Sequence, residues 1–336
     1  MKRRSLVLAA AVAVLALLYL FSASLLPYRS GALRPVDIPR GSTLGSIADS
    51  LAANDVLRDR YVFMLMARLS SSASRLQSGY YKFPESASAA DILAILVAGS
   101  HQAAVRVTIR EGLTIRRIAA VLAKEAGFDA EDVIALSRDR DFIDSLGLDV
   151  RQLEGYLLPD TYDIRFDATP RQVLARMAAA MRRQFTAEFL ARMDERGLSV
   201  HQVLTMASLV EGETRLAEER ARVAGVYYNR LRRGMLLQAD PTVQYIIPDG
   251  PRRLLYSDLA INSPYNTYMY RGLPPGPVNN PGVGAIRAAL WPEEHGFYYF
   301  VADGSGGHTF SRNYEEHLKA VAVYRKLQRR AADNSR

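Results

Sequence analysis

The segment Ala207-Ser-Leu-Val-Glu-Gly-Glu-Thr214 closes an apolar-periodic stretch in the second half of the 336-residue chain. Ser199 precedes this stretch and is a favoured N-cap residue, so the pattern predicts a helix that begins directly after it. The apolar positions recur at helical spacing and are Val200, Val203, Leu204, Ala207 and Val210. Two acidic residues therefore stand late in a packed helix.

Glu211 is the candidate catalytic residue of this helix. Glu211 and Glu213 differ by roughly 200° around a helix, so the two cannot face one cleft. Glu211 continues the apolar stripe, whereas Glu213 lies on the opposite side beside Arg215 and is expected in solvent. At the floor of a cleft, partial burial would raise the pKa of Glu211 and make it a general acid. The alternative is a frayed helix end with solvated charges, the commoner situation for surface carboxylates.

Residues 238 to 310 are rich in Gly, Pro, Asn and Tyr, which form rigid turns. Flat aromatic faces and amide groups on stiff loops are suited to a polysaccharide groove, although loop-rich packing without a ligand is an equal alternative. Gly212 indicates either a helix end or room for another group, such as a sugar, to approach the backbone.

Six ordered segments carry a more specific signal. They are residues 207–214, 226–231, 237–243, 265–268, 272–277 and 299–310. Together they resemble the YceG-like, or MltG, family of endolytic murein transglycosylases, most strongly from about Leu153 onward. The catalytic glutamate of that family is the first acid of a Val-Glu-x-Glu-Thr motif, which corresponds here to Glu211.

The resemblance implies cleavage of the β-1,4 bond between N-acetylmuramic acid and N-acetylglucosamine, leaving a 1,6-anhydro-muramic end. One carboxylate suffices, because the 6-hydroxyl of the sugar takes the part that a second carboxylate plays in ordinary glycosidases. Glu211 would protonate the leaving oxygen and then accept the hydroxyl proton. The resemblance also points to five substrate contacts, which are Gln238, Asp240, Asn266, Tyr268 and His308.

Other interpretations of these residues stay open. Glu211 and Asp240 could form the carboxylate pair of a hydrolase. Asp240 and Pro241 could equally form an ordinary Asx turn, and His308 could bind a backbone carbonyl. Glu154 lies in another segment that matches the family, and a structural role is expected for it.

The N-terminal residues predict a membrane anchor. Lys2, Arg3 and Arg4 precede an uncharged run, residues 5–26, which as a helix would span roughly 33 Å and cross a bilayer. Basic residues stay in the cytoplasm, so the rest of the chain would lie on the outer, periplasmic side of the cytoplasmic (inner) membrane. The alternative is a cleaved signal peptide with its cleavage site at Ser22-Ala-Ser24.

The composition argues against several other classes. The chain has no cysteine and therefore no disulfide or thiolate metal site. Its five histidines are scattered without ligand spacing, so neither a metal nor a cofactor is expected. The net charge is +8 and the pI ≈ 9.6. The arginines are dispersed, which predicts no nucleic-acid binding, and basicity suits an anionic cell wall and membrane surface.

An internal repeat precedes the catalytic region. Residues 38–51 align with residues 109–122, so that Gly41 and Thr43 correspond to Gly112 and Thr114. Each copy predicts a strand, a Thr-capped turn, two helices and a strand. This order is similar to a LysM glycan-binding unit, and the alternative is a purely structural scaffold.

The sequence therefore predicts an α+β protein. Its expected segments are a cytoplasmic n-region and transmembrane helix (1–27), a LysM-like βααβ subdomain (35–104), a mixed α/β YceG-like catalytic domain (105–330) and a disordered tail (331–336). The expected function is that of a lytic transglycosylase acting on nascent glycan strands, beside peptidoglycan synthases. The alternative is a non-catalytic peptidoglycan-binding adaptor of the same synthesis machinery.

Overall fold

The computed structural model describes residues 2–29, 36–39, 41–100, 103–247, 250 and 252–334. The chain divides into two compact units. The first comprises Met1–Arg106 with Asp163–Ala168, and the second comprises Val107–Tyr162 with Thr169–Arg336. The protein is mixed α+β, as the sequence predicts, and its described strands pair in small two-stranded sheets.

The first unit is built from short elements. They are α1 (Lys2–Leu25), β1 (Tyr28–Arg29), β2 (Val36–Ile38), α2 (Leu44–Ala53), α3 (Arg60–Leu69), β3 (Gly79–Tyr81), β4 (Ser86–Ala87) and α4 (Ala89–Ala98). β2 pairs antiparallel with β3, and β1 pairs antiparallel with β4. The order β2, α2, α3, β3 is the predicted one, whereas the likeness to LysM stays a prediction.

The helix caps of the repeat are confirmed. Thr43 accepts a hydrogen bond from the backbone at the start of α2, and Thr114 does the same for the helix that follows it. Gly41 and Gly112 both have a left-handed backbone, with φ of +78° and +74°. Glycine adopts this conformation without a steric penalty, which explains why both copies keep it before the cap.

The two ends of the chain differ in part from expectation. Across the described ranges we find no helix with both the length and the apolar character that a membrane crossing requires. At the other end, the last helix continues to Asn334, into the segment predicted to be a disordered tail. Residues 335 and 336 lie outside the described residues.

The second unit carries the candidate catalytic helix. The strand β5 (Ala104–Thr108) pairs with β6 (Thr161–Arg165), and each of these strands has residues in both units. The other elements of the second unit are α5 (Ile115–Ala126), α6 (Ala130–Leu136), α7 (Arg140–Ser145), α8 (Pro170–Gln184), α9 (Ala187–Arg196), α10 (Val200–Glu213), α11 (Ala217–Arg232), α12 (Asp240–Ile246), a 3-10 turn (Asp258–Ala260), α13 (Val283–Leu290), β7 (Tyr299–Ala302), β8 (His308–Ser311) and α14 (Tyr314–Asn334). β7 and β8 form an antiparallel hairpin.

The helix α10 lies at the centre of this unit. Ser199 caps it in a capping box with Gln202, as predicted. Every residue from 203 to 210 is buried, because α11, α12 and α13 surround the helix. Its hydroxyl groups donate to backbone carbonyls of the same helix: Thr205 donates to the carbonyl of His201, and Ser208 donates to the carbonyl of Thr205. A rigid, buried helix therefore presents Glu211.

Candidate active site

Glu211 lies in the last turn of α10, and its side chain is only 6% exposed. One carboxylate oxygen accepts a hydrogen bond of 2.9 Å from the backbone N–H of Gly282. The other lies 3.5 Å from a guanidinium nitrogen of Arg220. Gly282 is the N-cap residue of α13, so the carboxyl group also lies at the positive end of that helix.

The pKa of Glu211 is raised above its usual value, chiefly because burial removes solvent from the charged form. The Gly282 N–H and the positive charge of Arg220 act in the opposite direction. The negative charge of Glu111 adds a smaller upward shift. Burial therefore outweighs the groups that favour the anion, and Glu211 keeps its proton to higher pH than an ordinary glutamic acid. This is the condition that a general acid requires, although its catalytic role stays a prediction.

Arg220 connects Glu211 to a second carboxylate, Glu111, which the sequence reasoning missed. The same guanidinium nitrogen lies 3.3 Å from Glu111 and 3.5 Å from Glu211. Glu111 belongs to the loop between β5 and α5, and its side chain is 47% exposed. The repeat contained a signal for this residue, because the two copies carry opposite charges at this position: Arg40 in the first and Glu111 in the second.

The start of α13 leaves room for this carboxylate. A Cβ atom added to Gly282 would overlap the carboxyl group of Glu111. The backbone of Gly282 has a φ of −77°, which any residue adopts, so glycine is needed here for space and not for conformation. The glycine whose N–H binds Glu211 thus also packs against Glu111.

Glu213 is not in solvent, and the prediction for this residue is wrong. The hydroxyl of Tyr227 donates a hydrogen bond of 2.6 Å to its carboxylate, and the backbone N–H of Asp240 donates another. The pKa of Glu213 is raised to about 8, chiefly by burial and in smaller part by the negative charge of Asp240, while the Tyr227 hydrogen bond acts in the opposite direction. The two glutamates do face opposite sides of α10, but α11 and α12 cover the side that was expected to be open.

Gly212 lies between these two faces, and the group that approaches its backbone is Pro241. A Cβ atom at Gly212 would lie 2.6 Å from ring carbons of Pro241. Within the protein, α12 therefore makes a close approach at this glycine. Pro241 holds the start of α12 against the end of α10, which in turn positions Asp240 on the Glu213 side.

Three of the predicted substrate contacts form one surface cluster. Asp240 is exposed and accepts a hydrogen bond from the hydroxyl of Tyr268. Gln238 is also exposed, and its backbone donates to the carbonyl of Thr267 at 3.0 Å. Its φ of +49° is left-handed, a strained conformation for a residue other than glycine that is often found at functional sites. Asp240 contacts the Glu213 face, so the carboxylate beside Glu211 is Glu111.

Comparison with known proteins identifies the family. The sequence profile of the YceG-like family matches residues 36–323, which is most of the chain. This chain belongs to the YceG-like family. An endolytic murein transglycosylase of Bacillus subtilis strain 168 is 35% identical over 303 residues, covering 86% of this chain and 84% of that protein.

Two further relatives agree with this membership. An endolytic murein transglycosylase of Streptococcus pneumoniae D39 is 32% identical over 334 residues, covering 90% of this YceG-like chain and 60% of the longer pneumococcal protein. The crystal structure of a putative yceG-like protein from Listeria monocytogenes superposes with a TM-score of 0.60 at 32% identity. That superposition covers 85% of this chain and 97% of the Listeria chain.

Asn266 of this YceG-like chain is buried, in contrast to the surface cluster formed by Gln238, Asp240 and Tyr268. Its side chain is 0% exposed, and its amide donates to the carbonyls of Leu259 and Ile261. Its side-chain oxygen accepts from the backbone N–H of Tyr268. Both amide hydrogens and the side-chain oxygen are thus bonded within the protein, so Asn266 fixes the position of Tyr268 from the interior.

His308 binds a carboxylate and not the backbone carbonyl that was one of its expected partners. Its Nδ1 lies 2.7 Å from Glu219, and its backbone N–H donates to the same carboxylate at 2.8 Å. Both side chains are nearly buried, with 12% and 11% exposure. The pair therefore ties β8 to α11. In the described part of this YceG-like chain, no three acidic or histidine side chains converge to hold a metal ion.

Asn280 joins the loops that carry the site. Its side-chain oxygen accepts from the backbone N–H groups of Gly155 and Leu157, and its amide donates to Leu113 and to Glu154. Glu154 also accepts from the first backbone N–H of α5. Burial raises the pKa of Glu154 to about 8. This network holds the Glu111 loop next to Gly282, which agrees with the structural role expected for Glu154.

Proposed function

We propose that this chain is an endolytic murein transglycosylase that cleaves the bond between N-acetylmuramic acid and N-acetylglucosamine within peptidoglycan strands. The observation that carries the proposal is the burial of Glu211, which raises its pKa while a backbone N–H and an arginine lie ready to receive its anion. The named relatives from Bacillus and Streptococcus support the same substrate class.

In the first step, protonated Glu211 gives its proton to the glycosidic oxygen. The bond between C1 of the muramic acid and that oxygen breaks, and its electron pair leaves with the oxygen. Glu211 is now an anion, and the Gly282 N–H at 2.9 Å and Arg220 at 3.5 Å stabilise it. Both groups are already in place before the reaction, so little reorganisation is needed.

In the second step, the 6-hydroxyl oxygen of the same muramic acid forms a bond to C1. Its proton passes to Glu211, which regenerates the acid for the next cycle. The product carries a 1,6-anhydro ring, and no water is consumed. One carboxylate thus serves as acid and base, while the attacking group belongs to the substrate.

The surface cluster of Gln238, Asp240 and Tyr268 is proposed to contact the glycan. Tyr268 is half-buried and oriented by its hydrogen bond to Asp240, so part of its ring remains available to a sugar face. We assign Asn266 and His308 to support of this surface, because Asn266 is fully buried and Nδ1 of His308 is bound to Glu219. Glycan binding by the LysM-like repeat units stays part of the proposal.

Residues 5–26 are proposed to anchor the chain in the cytoplasmic membrane, with the second unit on the outer side. The basic residues Lys2, Arg3 and Arg4 before an uncharged run support this orientation. It would bring Glu211 to nascent strands near peptidoglycan synthases. Resistance of the full-length protein to alkaline extraction from membranes would test the anchor, and release into the soluble fraction would contradict it.

The test of the activity is mass spectrometry of the muropeptides that the full-length chain releases from purified peptidoglycan in detergent. We expect products with 1,6-anhydro-muramic ends, which the Glu211→Gln variant loses, because glutamine keeps the shape but has no acidic proton. The exposed Glu218→Gln serves as the matched control and should cleave normally. Ordinary reducing ends would indicate a hydrolase. Retained glycan binding with no products would favour the adaptor.

A further inference from the structure

We propose that Glu111 is a positioning residue that, through Arg220, keeps Glu211 protonated before the reaction. The inference rests on the proposed role of Glu211 as general acid. It assigns a task to a carboxylate that lies outside the Val-Glu-x-Glu-Thr motif, about 100 residues earlier in the chain.

The geometry gives Arg220 two competing partners. One guanidinium nitrogen lies 3.3 Å from Glu111 and 3.5 Å from Glu211. The side chain of Arg220 is 15% exposed, and its Nε atom is buried without a hydrogen-bond partner among the described residues. Both of these ion pairs are made by the same nitrogen, so Glu111 and Glu211 compete for the positive charge of Arg220.

Two glycines at the start of α13 make room for this arrangement. A Cβ atom at Gly282 would overlap the Glu111 carboxyl group, and one at Gly284 would overlap the guanidinium of Arg220. The first turn of α13 thus accommodates both partner side chains while its N-cap N–H binds Glu211. Larger residues at either position would displace the pair, so the local packing is fitted to it.

The charges that face Glu211 come from three elements. Arg220 on α11 and the Gly282 N–H at the start of α13 favour its anion, whereas Glu111 from the loop before α5 opposes it. Glu213 and Asp240 lie on the other face of α10. Without Glu111, the positive charge of Arg220 would act on Glu211 alone and favour its anion more strongly. The negative charge of Glu111 offsets part of this effect of Arg220, so Glu211 keeps its proton to higher pH than burial and Arg220 alone would allow.

The first test is the pH dependence of kcat/KM for the full-length chain on peptidoglycan. A general acid must be protonated, so activity falls as the pH rises through the pKa of Glu211. The Glu111→Gln variant removes the opposing negative charge. We therefore expect the alkaline limb of the profile, where activity falls with rising pH, to move to lower pH by roughly half a unit to one unit. Glu111→Asp, which restores the charge, should move it back.

A matched control is available on the same helix. Arg222 of α11 pairs with Glu293 at 3.0 Å, at an exposure similar to that of Glu111 but without contact to Glu211. Glu293→Gln should leave the alkaline limb in place. A Glu111→Gln variant whose rate is lower at every pH, with an unmoved limb, would show a structural role only and overturn the inference.

A second measurement does not depend on activity. The carboxyl carbon of Glu211, assigned with Glu211→Gln, can be titrated by ¹³C NMR in the full-length chain labelled at glutamate. We expect a lower pKa in Glu111→Gln and a higher one in Arg220→Met. Equal values in wild type and Glu111→Gln would overturn the inference, whichever way Arg220→Met behaves. A wild-type chain that cleaves no peptidoglycan would overturn the proposed function, while the titration would still decide the coupling.

Discussion

The carboxylate of Glu211 and the backbone nitrogen of Gly282 are 2.9 Å apart, although 71 residues separate them in the chain. The contact joins the last turn of α10 to the N-cap of α13. It sets the direction of one carboxylate oxygen, while Arg220 meets the other. The environment of the candidate acid is therefore built by the ends of two helices and one side chain.

Gly282→Ala should lower activity without destabilising the fold. Its backbone conformation suits alanine, but the new Cβ would push the flexible carboxyl end of Glu111 away. We expect a near-normal melting temperature with kcat/KM reduced by about tenfold and an alkaline limb shifted as in Glu111→Gln. Gly296→Ala, where no atom lies within 4 Å of the added Cβ, is the control. A wild-type pH profile in Gly282→Ala would contradict this prediction.

Wild-type activity should extend to higher pH than an ordinary carboxylic acid allows. Burial raises the pKa of Glu211, and the protonated form is the reactive one. We expect kcat/KM to be constant at low pH and to fall as the pH rises through this raised pKa. Initial rates of muropeptide release between pH 4 and pH 9, on the order of ten points, would measure it. Activity that instead increases with pH would point to a general base.

Gly212→Ala should destabilise the second unit. Alanine gains about 1 kcal/mol of helix propensity over glycine. The added Cβ, however, would lie 2.6 Å from the ring of Pro241, and overpacking of this kind costs about 1 to 3 kcal/mol. We therefore expect a net loss of unfolding free energy in urea. A variant at least as stable as wild type would mean that α12 shifts to accommodate the added Cβ.

Glu154 should make stability fall as the pH rises. Its pKa is about 8 in the folded chain and 4.5 ordinarily, so the folded state binds more protons between these values. The free energy of unfolding then falls with pH across this window, by at most about 1.4 kcal/mol per pH unit for one group. Glu154→Gln should show a shallower decline in urea titrations at several pH values. Identical slopes in both proteins would refute the assignment.

Tyr268→Phe tests the surface cluster. The change removes the hydroxyl that binds Asp240 but keeps the aromatic ring. Loss of one such hydrogen bond is worth about 0.5 to 1.5 kcal/mol, so we expect KM to rise several-fold with kcat little changed. An Asp240→Asn variant combined with Tyr268→Phe should add less than the sum of the two. A large fall in kcat alone would place Tyr268 in the chemical step.

Local features of the fold could be predicted because short-range patterns determine them. The start of α10 at Ser199 and the caps at Thr43 and Thr114 follow from side-chain hydrogen bonds that span three residues. The position of Glu211 after an apolar stripe indicated burial correctly. The same periodicity misplaced Glu213, because helical spacing describes the faces of one helix but not what packs against them.

The sequence by itself determined the family, the helix that carries Glu211 and the loop-rich region that follows it, since each of these is encoded in contiguous residues. Only the tertiary structure decided which groups control the proton of that residue. Glu111, Arg220 and Gly282 come from three distant segments and meet through packing. A pKa depends on lost solvent and on the charges that surround a group in space, and neither can be read from which residues are neighbours in the sequence.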